Sequence, residues 1–118
     1  MSKTLTIAQV SDCHLFADPK GLHHHANVYQ NLKKVLGAID QQGEVDAIVF
    51  TGDLTQDHSA ESYQLFVQAF VECEINLPVY YLAGNHDEPS LLKRYLSTAP
   101  FCQANVIENE HWQVLLVE

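Results

Sequence analysis

Apolar and polar residues fall into blocks whose spacing changes along the chain. Thr4 to Val10 carries Leu5, Ile7, Ala8 and Val10 and predicts a first strand. Residues 17–25 form a loop, with Asp18-Pro19 and Gly21 as turn signals. From Asn27 onward Val28, Leu32, Val35, Leu36 and Ile39 recur on one face of a 3.6-residue period, which predicts a helix capped by Asn27 and stopped by Gly43. Ala47-Ile48-Val49-Phe50 is an unbroken apolar run, as expected for a strand covered on both faces. A second helix is expected from about Ser59, with Tyr63, Phe66, Val67 and Phe70 facing inward. Pro78 introduces Val79-Tyr80-Tyr81-Leu82, a third buried strand, and Pro89 suits the first turn of a third helix with Asp87 or Glu88 near its cap. Asn105 to Ile107 and Trp112 to Val117 read as two strands around a turn at Asn109-Glu110.

The predicted order is β-α-β-α-β-α-β-β, an α/β layer fold with a mostly parallel first sheet flanked by helices. The 118 residues suit one small domain, and a hydrophobic content of 47% supports a packed core. Val114-Leu115-Leu116-Val117 is apolar on both faces, like a central strand that needs neighbours, so the chain is expected to be part of a larger domain. The formal charge of −9, from 15 acidic and 6 basic residues, leaves no basic stripe and argues against nucleic acid as a partner. No apolar run is long enough to span a bilayer and no leader pattern opens the chain, so a cytoplasmic protein with no membrane partner is expected. Cys13, Cys73 and Cys102 lack metal-type spacing and read as three reduced thiols.

Three polar clusters carry the chemistry: Asp12-Cys13-His14, Gly52-Asp53 and Gly84-Asn85-His86-Asp87. Each directly follows a predicted strand, and open α/β sheets build sites at the carboxyl ends of their strands. Parallel strands would therefore bring the clusters to one edge. In an extended segment Asp12 and His14 would point to the same side and Cys13 away. Asp53 offers a carboxylate able to bridge two ions, and Asn85 a neutral oxygen. Oxygen and imidazole donors without thiolate favour Mn, Fe or Zn. Gly52 and Gly84 permit sharp turns and close approach to a ligand.

These blocks resemble the D-x-H, G-D and G-N-H-[DE] blocks of the calcineurin-like metallophosphoesterase superfamily. The wider segments Ser11–Phe16, Thr51–Asp57, Leu82–Asp87 and Glu110–Leu116 are similar to bacterial class III 3′,5′-cyclic AMP phosphodiesterases of the CpdA type. The resemblance implies the N-terminal half of an αββα sandwich, with residues 1–118 forming part of one metallophosphoesterase domain. It also implies two metal ions, with Asp12, His14 and Asp53 on the first, and Asp53 and Asn85 on the second. The family's G-H-x-H block, which completes both sites, has no counterpart in this chain. His86 would be the catalytic acid and Asp87 its orienting partner; His14, Asp53, Asn85 and His86 would face a small cyclic nucleotide. The expected reaction is hydrolysis of cyclic AMP to 5′-AMP.

Two alternatives stay open at this point. One is a phosphoesterase of the same fold with another substrate. The other is a catalytically incomplete fragment that forms a homodimer through its exposed last strand. His23-His24-His25 reads most simply as a solvated polar loop, with a place at the substrate entrance as the sharper alternative. Cys13 reads as a filler, and His58 and His111 as surface residues.

Overall fold

The structure, a computed structural model, describes residues 4–84, 87–102 and 104–117. Its elements run β1 (Ile7–Val10), β2 (Leu22–His23), β3 (Ala26–Asn27), α1 (Val28–Gln42), β4 (Ala47–Phe50), α2 (Ala60–Glu72), β5 (Val79–Tyr81), α3 (Pro89–Tyr95), β6 (Phe101–Cys102), β7 (Val106–Glu108) and β8 (Gln113–Leu115). The main sheet has the order β1-β4-β5-β6, and every neighbouring pair is parallel.

Strand β4 shows why the sheet has three layers. All four of its residues are buried, and side chains alternate between faces. Ile48 and Phe50 join the core formed with Leu32 and Leu36 of α1, Phe66 and Phe70 of α2, and Leu92 of α3. Ala47 and Val49 pack on the other face with Ile107, Val114 and Leu116. The three helices thus share one face of the sheet, and the β7–β8 hairpin covers the opposite one.

Helix boundaries follow their caps. Asn27 accepts a hydrogen bond from the Gln30 N–H at 2.9 Å, and Gly43 leaves α1 at φ 67°. Ser59 caps α2 through the Ser62 N–H. The inner face of α1 differs from expectation at one position. Val35 is 46% exposed, whereas Tyr29 is buried with Leu32 and Leu36, because the buried stripe is narrower than the apolar set. At the chain's end, among the described residues, β8 pairs with β7 alone. Val114 and Leu116 face the sheet, while Leu115 and Val117 are 61% and 78% exposed. The four apolar residues split between two faces because β8 is half of a hairpin lying on the sheet's surface. The first strand begins at Ile7 rather than Thr4, and β6 fills the sheet where no strand was expected.

The parallel ladder does not stop where the strands end. Thr51 N–H donates to Val10 O at 3.0 Å, Asp12 N–H to Gly52 O at 2.9 Å, and His14 N–H to Asp53 O at 3.1 Å. Leu15 N–H then reaches Leu54 O, and Gln56 N–H returns to Leu15 O, both at 2.8 Å. The loops after β1 and β4 are therefore held in register. The loop after β5 touches the second of them. A Cβ on Gly52, whose φ is +116°, would lie 2.6 Å from both Gly84 N and Gly84 Cα.

That contact predicts that Gly52→Ala loses stability on the order of 3 kcal/mol, from backbone strain and a clash with backbone that cannot rotate aside. Urea unfolding reads it; an unchanged midpoint and slope would show that the two loops can separate at little cost.

Candidate metal centre

The ladder between the two loops delivers Asp12, His14 and Asp53 to one point. One ligand atom from each lies within 4.8 Å of the others. Sequence pattern placed Asp12 and His14 together by assuming an extended segment. The backbone instead turns left-handed at Asp12 (φ 56°), His14 (φ 47°) and Asp53 (φ 59°). Asp and His tolerate that region better than most residues, and strain of this kind gathers at functional sites. Cys13 does face away: it is buried in the helix-side core, where burial first, and then the charges of Asp87 and Asp12, push its thiol pKa far up. A protonated buried thiol is a filler rather than a ligand.

The rings and carboxylates are oriented from behind. His14 Nδ1 lies 3.0 Å from Gln56 Oε1. That contact orients the ring and turns Nε2 the other way. There Nε2 meets Asp12 Oδ1 at 3.5 Å. With the Asp53 carboxylate beside them, two carboxylates and an imidazole nitrogen share one small space. The donor set therefore fits a divalent metal of the oxygen- and imidazole-binding class. The Ser11 hydroxyl, 2.8 Å from Asp12 Oδ2, holds that carboxyl below its ordinary pKa, against burial and with help from Asp53 and His14.

The third cluster contributes through Asp87. Leu54 N–H and Thr55 N–H donate to Asp87 Oδ1 at 2.7 and 3.2 Å, and Gly84 N–H donates to Oδ2 at 2.9 Å. This carboxylate ties the loop after β5 to the loop that bears Asp53. Asn85 and His86, which the family resemblance assigns to the second metal and to proton donation, lie outside the described residues. Behind Asp53, Thr55 is buried with its hydroxyl 2.7 Å from that of Ser62, which fixes the loop to the first turn of α2. Asp57 accepts from Ala17 N–H at 2.9 Å and joins the first loop to the second again. Burial works to raise its pKa, but Ser59 and the backbone donors hold it below the ordinary value.

Two residues near the site were not expected to touch His14. Gln56 lies in the block Thr51–Asp57, and its spacing from Asp53 gave no sign that it would reach back to His14. His23 sits in the histidine run, and its ring stacks on that of His14 with centroids 4.6 Å apart and planes 18° from parallel. His24 and His25 are exposed, as are His58 and His111. No helix among the described residues is long and apolar enough to cross a membrane.

Comparison with known proteins agrees with this geometry. The calcineurin-like phosphoesterase family matches residues 5–115. The chain is 53% identical over 117 residues to a probable cyclic nucleotide phosphodiesterase of Colwellia psychrerythraea, covering 99% of this chain and 44% of that protein. It is 36% identical over 113 residues to a probable cyclic nucleotide phosphodiesterase of Pseudoalteromonas sp., covering 96% and 42%. It is 37% identical over 114 residues to the 3′,5′-cyclic adenosine monophosphate phosphodiesterase CpdA of Escherichia coli K12, covering 95% and 41%. The chain thus spans less than half the length of these relatives. A match over nearly the whole chain, on a parallel sheet that gathers an Asp-His-Asp donor set at its carboxyl edge, shows that this chain belongs to the calcineurin-like phosphoesterases.

Proposed function

We propose that the protein hydrolyses a 3′,5′-cyclic nucleotide, cyclic AMP first among them, to the 5′-monophosphate at a dinuclear centre of Fe, Mn or Zn ions. The observation that carries this reading is the convergence of Asp12, His14 and Asp53, with His14 Nε2 turned toward Asp12. The relatives named as cyclic nucleotide phosphodiesterases support the substrate class.

Asp12 and His14 would hold the first ion, Asn85 the second, and Asp53 both. When bound, such ions supply positive charge for the phosphoryl oxygens and lower the pKa of a coordinated water. The chain's own residues do the rest. Gln56, 3.0 Å from His14 Nδ1, orients the ring so that Nε2 would face the ion. His86, carrying a proton, would pass it to the ribose 3′-oxygen as its bond to phosphorus breaks, since an alkoxide is a poor leaving group. Asp87 is a positioning residue in this scheme: its three backbone contacts hold the Asp53 loop against the Gly84 turn.

Three outcomes are expected. Asp53→Ala abolishes metal-dependent turnover of cyclic AMP; full activity would refute the bridging role. His86→Ala lowers turnover of cyclic AMP by about 10²–10⁴-fold and that of bis-p-nitrophenyl phosphate, whose leaving group needs no proton, far less; equal losses remove His86 from the acid role. Asp87→Asn keeps size and shape but can turn only one oxygen toward three N–H donors, leaving an N–H facing an N–H. It is expected to cost about 1–3 kcal/mol in urea unfolding and to weaken Mn²⁺ uptake. A variant unchanged in both would show that Asp87 does not hold the loops. Single-stranded DNA, assayed beside the two phosphodiesters, tests the substrate class, and cleavage of DNA in preference to cyclic AMP overturns it.

A further inference from the structure

The histidine run is folded into a hairpin rather than lying as a loose loop. Leu22 pairs with Asn27 and His23 with Ala26 in antiparallel register, leaving His24 and His25 as a two-residue turn. Both turn residues are left-handed, with φ of 50° and 68°. That is the backbone of a type I′ turn, whose twist matches a hairpin and whose usual residues are Asn and Gly. Histidine at both places accepts a steric cost that glycine would avoid. The hairpin is also anchored: Asn27, its last residue, caps α1 through the Gln30 N–H.

The result is a short stack of imidazoles beside the metal centre. His23 lies face to face on His14 at 4.6 Å, and the His24 ring meets His23 edge-on at 4.2 Å. The contact complements the one made by Gln56. A hydrogen bond to Nδ1 fixes the direction in which Nε2 points but leaves the ring able to tilt about the Nδ1–oxygen line. A flat group packed on the ring face removes that tilt. Among the described residues, Asp12, His14 and Asp53 bring donor atoms together in a possible metal group, and the ring of His23 packs on the His14 member of it.

We propose that His23 is a positioning residue that sets the plane of the His14 imidazole, and that the type I′ hairpin exists to hold it there, bracing the metal centre against the start of α1. This inference rests on the reading of His14 as a metal ligand.

The test compares wild type, His23→Ala and His23→Phe by Mn²⁺ titration, following free Mn²⁺ by electron paramagnetic resonance. His23→Ala is expected to weaken Mn²⁺ binding by about tenfold or more, the usual effect of removing a group that orients a ligand. His23→Phe, which keeps a flat face and no nitrogen, restores binding to within about threefold. In the metal-free protein the His14 ring protons resonate upfield in wild type and in the Phe variant, and lose that shift in the Ala variant. An Ala variant that binds Mn²⁺ as tightly as wild type overturns the positioning role alone. So does a Phe variant as weak as Ala, or a wild type without the upfield shift. A wild type that takes up no Mn²⁺ removes the ligand reading and this inference with it.

Discussion

The backbone ladder between β1 and β4 continues through the two loops that follow them, and the site depends on this continuation. Each hydrogen bond in it contributes a net of only about 1 kcal/mol. Their worth is geometric. Asp12 N–H on Gly52 O and His14 N–H on Asp53 O fix the loops residue against residue, so ligands separated by 39 to 41 positions in sequence sit at defined distances. Had the ladder ended at Val10, each loop would carry its donors independently, and metal binding would have to order both. The third loop joins by two further contacts, the Gly52–Gly84 backbone approach and the Asp87 carboxylate. A parallel sheet brings these loops to one edge, but backbone bonding beyond the sheet makes the edge a site.

Holding the ligands this way is costly, and the fold shows what offsets it. Asp12, His14 and Asp53 all have left-handed backbones, at roughly 1–2 kcal/mol each. The residues immediately after two of them are Leu15 and Leu54, both with no exposed surface. Burying a leucine side chain contributes about 1.5–3 kcal/mol, so each strained ligand is followed by an anchor of comparable size. Cys13, between the first two ligands, is buried on the same helix-side core. The loop therefore alternates, with Cys13 and Leu15 pinned inside and Asp12 and His14 presented outside. The alternation resembles a strand's, but it is reached through left-handed residues.

That difference marks the limit of what could be read from the sequence. Strands β4 and β5, helices α1 and α2, and the cap at Asn27 were legible because apolar period and capping chemistry agree there. The grouping of Asp12, His14 and Asp53 was legible because strand ends in a parallel sheet share an edge. Its local cause was not, since no pattern of residue types distinguishes an extended D-x-H from one with two positive φ angles. Strand β6 is two residues long, too short for any period to register. Val114 to Val117 was legible as apolar on both faces, and among the described residues only one face is covered, with Leu115 and Val117 left exposed. Gln56 and His23 were missed for a different reason. Their roles depend on side-chain contacts between separate loop segments, 42 residues apart for Gln56 and His14, which spacing along the chain does not encode.

Electrostatics then order the events in the proposed reaction. The chain carries a formal charge of −9, and the site itself presents two carboxylates. A phosphodiester anion approaching those carboxylates alone would meet repulsion. In the proposed reaction, cations bound there first would reverse the sign of the local field. In the proposed reaction, the same arrangement that would repel substrate from the bare protein would draw a phosphoryl group to the loaded centre. The stiffness of the ligand set, from ladder, glutamine and stacked histidine together, would then determine how well the proposed cations are held against their own hydration.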